Sequence, residues 1–444
     1  MSITSAPPAL PTRVPNLVLR DEVFAARLAV AKRAWTTRHV SLHSARRLVW
    51  ETPRAGQVLL ARVTQLGQHR RLESPHGRRQ TLHLGDEVIV VLGDRYAPDQ
   101  FAAHVPNDLS SCHLVAGGGV ASRVVHAHTD MRPATLLEPL GLLADEEGRP
   151  LDVADHDALG PWTEPEGAER VVRHADEGPV VIAVAGAAMN SGKTTTAASL
   201  VRGASLAGLR VGAAKVTGTG SGNDVWTLVD AGASPALDFG DVGLVSTYRV
   251  DRARVLRAFE QLTDSLLAQG CEVVVIEVAD GVFQQETATL LSEESFRSRV
   301  DGLVFAANDA LGASAGAAWL VGRGLVPLAF SGVVSASPLA SRETGGATGT
   351  DVGRPRTWPT RSSSTTSSRG CGTPGPPHSP RERRRRDRCL GPPAARGGVP
   401  LPRTVVRPAG GHRGRPGPGR RRGGPARGAG LRRPADPGRP SEQP

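Results

Sequence analysis

The stretch Val180-Val181-Ile182-Ala183-Val184-Ala185-Gly186-Ala187-Ala188-Met189-Asn190-Ser191-Gly192-Lys193-Thr194-Thr195-Thr196 decides how the rest of this chain is read. Its opening is a continuous Val/Ile/Ala run, as a strand buried on both faces requires. A loop bounded by Gly186 and Gly192 follows, and then a helical pattern from Thr194 to Ala207. A strand that turns through glycines into a helix gathers backbone N–H groups and the helix's positive end around one point, which suits a phosphate. Gly192 permits its close approach, Lys193 reaches the β- and γ-phosphates of a nucleotide, and the Thr194 hydroxyl is the expected Mg²⁺ ligand. The backbone of Ala188, Met189, Asn190, Ser191 and Gly192, with Thr195 in the first helical turn, completes the cradle. The strict pattern places its first glycine at position 187; here Ala187 stands there, and the glycine comes one residue earlier as Gly186.

Working outward, residues 178–340 alternate strands with helices, the pattern of an α/β domain with a parallel sheet covered on both faces. Strands are expected at 180–185, 210–214, 272–276, 302–306 and 326–334. Helices are expected at 194–207 and 252–269, each ending near a glycine suited to a C-cap. The strand Cys271-Glu272-Val273-Val274-Val275-Ile276-Glu277 ends in a carboxylate, which could hold Mg²⁺ or its water opposite the phosphates. Asp280 is a second candidate, and a structural use of Glu277, as a helix cap or an arginine partner, is the alternative.

The segment Lys215-Val216-Thr217-Gly218-Thr219-Gly220-Ser221-Gly222-Asn223-Asp224 falls at the carboxyl end of the second strand, where open α/β sheets place their ligand crevice. The chain has only three lysines, Lys32, Lys193 and Lys215, so two of them stand beside the cradle in an otherwise arginine-rich protein. Lys193 and Lys215 are thus the candidates to stabilise a moving phosphoryl group, and Thr194, Asp224 and Glu277 the candidates to hold the metal. Lys215 as a solvated surface charge is the alternative.

The other regions read differently. Residues 1–56 contain one short amphipathic helix around Asp21–Ala31. Residues 57–175 read as a β-rich, barrel-like domain with a linker, from the strands Val58–Val63, Thr81–Leu84 and Glu87–Leu92 and the turns between them. Within it, Leu92–Phe101 and His113–Val120 either line a substrate pocket or serve as turns that close the barrel. His113, His126 and His128 lack a third metal ligand. The four cysteines show no disulfide or zinc spacing.

Residues 341–444 carry 23 Arg, no Lys and 6 Asp plus Glu, a net of +17, which leaves −6 of the formal +11 for residues 1–340. With 18 Pro and 20 Gly and no apolar periodicity, this tail is expected to be disordered. The abrupt shift inside an unfinished α/β pattern is what out-of-frame translation after about Arg342 would give, with a basic nucleic-acid-binding tail as the alternative. No run of apolar residues is long enough for a membrane span and the N-terminus lacks a signal-peptide core, so a cytoplasmic location is expected.

On these residues the chain resembles the dethiobiotin synthetase group of P-loop enzymes and the related cobyric-acid-type amidoligases, over about residues 178–335. Gly186–Thr194 matches that family's loop in length. Lys215–Gly220 is similar to its substrate- and phosphate-contacting segment, Asn223-Asp224 to its Ser-Asp metal pair, and Glu277–Gly281 to its metal-binding Glu segment. Leu311-Gly312 is similar to its Leu-Gly turn, and Ser335 falls near its base-reading Asn. Lys215–Gly220 with Asp230-Ala231-Gly232-Ala233 also resembles the guanine-nucleotide-binding accessory protein of molybdenum cofactor synthesis. A third resemblance is to the P-loop family that includes D-glutamate N-acetyltransferase. The first resemblance implies an ATP- (or GTP-) and Mg²⁺-dependent enzyme that activates a carboxylate or similar small-molecule group. The second implies a GTP/ATP-binding accessory protein, and the third an acyltransferase whose loop holds the phosphates of coenzyme A. The expected partners are a nucleotide and a small-molecule substrate, not nucleic acid or membrane; a homodimer is left open.

Overall fold

The computed structural model describes residues 21–160 and 178–353. The tail expected from residue 341 therefore lies outside the described residues from 354 onward. Residues 341–353 are described: the helix Pro338–Thr348 runs across that boundary, and Val352 then bridges in parallel to Phe330.

In the second half, six strands form an all-parallel sheet. Their spatial order is Ala236–Asp238, Val211–Lys215, Val273–Glu277, Val180–Gly186, Gly302–Ala306 and Pro327–Ser331. Five of the six coincide with the Val/Ile-rich runs read from the sequence. Successive residues of the central strand face opposite sides. Val181, Ala183 and Ala185 join a core with Phe259, Leu262 and Phe296, while Val184 joins one with Ala197, Val201 and Leu228 on the other face. That double burial is why these strands show no polar alternation.

The register brings the functional ends together. Lys215 is paired with Glu277, and Glu277 with Val184, so the carboxyl ends of three adjacent strands finish at one edge of the sheet. The helix Lys193–Leu206 leaves from that edge. The segment around Asn223-Asp224 is itself helical, Gly222–Ala231, so Asp224 stands in a first helical turn.

The first half is a closed barrel. Its strands run in the ring order Glu87–Leu92, Val58–Gln65, Thr135–Ala144, Cys112–Ala116 and Val120–Ala127. The last pairs in parallel with the first through Val120 and Ala121 against Val91 and Leu92. Alternation along Val58–Gln65 sends Leu59, Ala61 and Val63 to one cluster with Val88, Val90, Leu114 and Leu137. Val58 and Leu60 face a second cluster, closed by Phe24 and Leu28 of the helix Asp21–Val30. Residues 1–56 supply more than that helix: Lys32–Arg33 and Arg47–Val49 add two short strands to the same sheet.

The two halves touch at several places. Val245 of the second half belongs to the first half's second cluster. Arg38 reaches Asp238 at 2.6 Å and Asp241 at 2.9 Å and lies 4.3 Å over the Trp35 ring, which itself meets Trp226 edge-on at 6.1 Å. Tyr96 packs on Tyr248 at 5.4 Å. Glu73 accepts hydrogen bonds from the Gly222 amide at 2.7 Å and the Ser221 hydroxyl at 3.2 Å, so the barrel caps the helix that carries Asp224.

Candidate functional site

The loop between Gly186 and Lys193 is shaped by backbone that only small residues permit. Gly192 has φ +94° and Asn190 φ +60°, which turn successive amides toward the same side. At Gly186 a Cβ would sit 2.5 Å from the Ser191 hydroxyl oxygen and 2.9 Å from Lys193 Cγ. The glycine displaced by one residue from the strict pattern is therefore the one the folded loop needs. Ala187 is tied instead to the neighbouring strand end, donating to the Ala306 carbonyl at 2.9 Å.

The helix beginning at Lys193 has no side-chain cap; Gly222–Ala231 lacks one at Ser221 but gives its first amide to Glu73, the short Glu294–Arg299 lacks one too, and the helices starting at Arg252, Gln285, Ala310 and Pro338 are capped by Asp251, Gln284, Asp309 and Ser337. The first amides of the Lys193 helix are thus left for a ligand, and an anion is what the positive end of a helix favours. Lys193 arches over the loop, its ammonium donating to the Ala188 carbonyl at 2.7 Å. Ser191 is buried with its hydroxyl oxygen unpartnered, and its carbonyl accepts from Val333 N at 3.0 Å. Met189, Asn190, Gly192, Lys193, Thr194 and Thr195 all line one cavity of about 810 Å³.

The floor of that cavity is a compact cluster of charges. The Thr194 hydroxyl donates to Glu277 Oε1 at 2.8 Å, and the other carboxylate oxygen of Glu277 is buried without a partner. Lys215 forms an ion pair with Asp224. Burial pushes the Lys193 ammonium below its usual range, against the pull of Glu277 and Asp280. Burial likewise raises the Glu277 carboxyl, with the Asp224 charge adding to it and the two lysines opposing. Asp280, held at φ +64°, is raised chiefly by burial as well. Lys215 goes the other way: although burial penalises its charge, Asp224 and Glu277 hold it protonated.

The sequence-derived site residues thus meet in one place, with Glu277 in contact with Thr194 rather than an arginine, and Lys215 buried rather than solvated. Asp224 faces Lys215. Ser335 is buried and donates to the Gly332 carbonyl at 2.7 Å, while Leu311 is exposed in the helix Ala310–Val321. Among the described residues no three His, Cys, Asp or Glu side chains gather as a metal cage. The Thr194 hydroxyl and the unpartnered Glu277 oxygen fit Mg²⁺, which takes one or two protein oxygens and fills its octahedron with phosphate and water.

The opposite wall of the cavity comes from the barrel. Arg95, Tyr96, Ala97 and Gln100 of the Leu92–Phe101 segment line it, as do Ala116 and Gly117 of His113–Val120. Both segments therefore border the cavity, as well as forming the barrel's connections. Asp99 reaches across to accept from the Asn190 amide group at 2.7 Å. Arg70, Arg71 and Arg79 line the cavity too, and no motif reading singled them out. Their only sequence signal was a local density of arginine in a β-hairpin, Arg71–Glu73 paired with Arg79–Thr81.

The parallel sheet, the loop from Gly186 to Gly192 and the lysine over it give this half the shape of a P-loop fold. No family model and no curated relative matches the chain. Among solved structures it is similar to the signal recognition particle receptor FtsY from Elizabethkingia anophelis, at 18% identity over 37% of this chain and 52% of that one, with a TM-score of 0.27. It is similar as well to the signal recognition particle 54 kDa protein from Aeropyrum pernix K1 in complex with GDP, at 19% identity over 42% and 44%, TM-score 0.30. A third likeness is to cell division protein ftsY from Thermotoga maritima, at 17% over 40% and 61%, TM-score 0.29. The chain spans about half the length of these structures. Among the described residues no helix is long and apolar enough to cross a membrane.

Proposed function

We propose that this protein is a Mg²⁺-dependent nucleoside-triphosphate enzyme that transfers the γ-phosphoryl group to a small-molecule acceptor, a carboxylate or a similar group. One observation carries the reading: the phosphate cradle opens into a cavity of about 810 Å³ whose far wall is supplied by a different half of the chain. A nucleotide's phosphates at Gly186–Thr195 leave that far side for a second reactant.

The chemistry asks mainly for positioning and charge neutralisation. The acceptor oxygen forms a bond to the γ-phosphorus as the bond to the β–γ bridging oxygen breaks, leaving a nucleoside diphosphate. Lys193, released from the Ala188 carbonyl, would follow the γ-phosphate, and Lys215, fixed by Asp224, would face the same oxygens. Thr194 and Glu277 would hold Mg²⁺, which supplies charge neutralisation at the phosphates when bound. The resemblance to the dethiobiotin synthetase group supports an acid-activating reaction of this type, with ATP or GTP as the donor.

The test is a thermal-shift and turnover panel of ATP, GTP and acetyl-CoA, each with and without Mg²⁺, on the parent protein and Lys193→Ala. The expected result is stabilisation by one Mg²⁺-triphosphate and its loss in the variant. Stabilisation by acetyl-CoA alone, independent of metal, overturns the phosphoryl-transfer reading in favour of acyl transfer. A triphosphate bound in a Lys193-dependent way but never turned over with any acid offered points to the accessory-protein reading.

A further inference from the structure

The wall that faces the phosphate cradle is strongly basic. Four of its residues are arginines, Arg70, Arg71, Arg79 and Arg95, against the single carboxylate Glu73 on the same wall. Glu73 is already committed to the Ser221 hydroxyl and the Gly222 amide. Arg79 is engaged as well, with Asn223 at 2.8 Å and Glu73 at 3.7 Å. Arg70 makes one long hydrogen bond, 3.3 Å to the Gly67 carbonyl, and is exposed beside Arg71.

Arg95 is different in kind. It is 6 % exposed, and one terminal nitrogen donates to the Gln100 side chain at 2.9 Å. Its Nε and its other terminal nitrogen are buried with no partner at all. Burial lowers its pKa to about 10, and the attraction that opposes this comes from Asp280 on the cradle side. A buried guanidinium with unmatched N–H groups is costly, and natural interiors rarely leave one unless something else satisfies it. An oxyanion is the group that such N–H donors take in charge-assisted hydrogen bonds; Nε and the free terminal nitrogen lie on different edges of the guanidinium, so two parallel bonds form along one edge with the second N–H of the nitrogen that Gln100 holds. Gln100 fixes the fork, and the two exposed arginines stand at the mouth as a positive approach.

We infer that the barrel half builds a second anion subsite, with Arg95 at its base and Arg70 and Arg71 at its rim, which takes the oxyanion of a small acidic molecule while a nucleotide occupies the cradle opposite. This rests on the proposed function only in assigning the cavity's other end to nucleotide. The shared chemistry is an oxyanion, and carboxylate or phosphate could supply it.

The experiment is calorimetric titration of the full chain with succinate and, separately, inorganic phosphate. Both are run with a non-hydrolysable Mg²⁺-triphosphate analogue already saturating the cradle. Saturable binding of one of them is expected, weakened tenfold or more in Arg95→Met, with the analogue's own affinity unchanged within twofold. That second measurement also shows that the variant is folded. The double variant Arg70→Ser/Arg71→Ser should weaken binding less and flatten its salt dependence. Whichever anion binds identifies the source.

Three outcomes overturn the subsite. One is no saturable anion binding. Another is anion binding that Arg95→Met leaves intact. The third is anion binding that appears only when the analogue is omitted, which would mean the ion occupies the cradle. Loss of analogue binding in Lys193→Ala belongs to the nucleotide reading and is scored separately.

Discussion

Replacing Gly332 with alanine should damage the phosphate cradle although Gly332 is not itself part of it. Gly332 follows the edge strand Pro327–Ser331 and has φ +90° and ψ −148°, a region that only glycine occupies comfortably. Holding alanine there costs about 1–3 kcal/mol. The added Cβ would lie 2.1 Å from the Ser191 carbonyl oxygen, where ordinary C···O contacts begin at about 3.3 Å. One of the two backbones must therefore retreat by about 1 Å, and the Val333-to-Ser191 hydrogen bond of 3.0 Å, worth about 1 kcal/mol, goes with it. A misplacement of about 1 Å in a positioning element can cost on the order of a hundredfold. Nucleotide affinity should fall at least tenfold, about 1.4 kcal/mol. The assay is equilibrium titration with a fluorescent triphosphate analogue, alongside urea denaturation to read the stability loss. Gly346→Ala, where a Cβ meets nothing within 4 Å, is the control and should leave both unchanged or gain slightly in stability. If Gly332→Ala binds the analogue as tightly as the parent, the claim that this contact holds the loop in shape is wrong.

Two further outcomes follow from buried charges. Burial lowers the His69 pKa to about 4, well under its value of 6.5 in an unfolded chain. The unfolded state therefore takes up the proton first, and stability should drop as pH falls from about 6.5 toward about 4, by on the order of 3 kcal/mol in all. Urea midpoints at pH 7.5 and pH 5 should converge in His69→Gln relative to the parent; an unchanged difference would assign the pH dependence to other groups. Arg38→Met should cost about 3–5 kcal/mol, since it takes the guanidinium from Asp238 and Asp241 in the boundary between the halves and leaves Asp238 with the Gly240 amide and the Trp35 indole N–H, and Asp241 with His39 and the Asp238 amide. Stability within about 1 kcal/mol of the parent would show those carboxylates to be solvated once the arginine is gone.

The second half of the chain was largely legible because its strands are buried on both sides and announce themselves as unbroken Val/Ile runs. The cradle was legible because Gly186, Gly192 and Lys193 are local in sequence. The strand Ala236–Asp238 escaped because three residues carry no pattern, and the helix Gly222–Ala231 because Gly218, Gly220 and Gly222 read as loop. The arginine wall could not be read at all. Nothing local relates Arg71 or Arg95 to Lys193, and only the docking of barrel against sheet sets them across one cavity. Even the Gly, Asp and Pro of the Leu92–Phe101 segment do not distinguish a cavity wall from a turn, since both uses favour the same residues.

Val245 lies in the barrel's own hydrophobic cluster, beside Val58, Leu60 and Val120, although it is made long after them. During synthesis the barrel strands leave the ribosome before the side chain that completes their outer layer exists. Until it arrives, the side of the barrel that Val245, Trp226 and Tyr248 cover stays open. Cutting the chain at the linker would leave that same face uncovered for good, so two separately expressed halves should recombine or precipitate rather than persist as independent soluble proteins.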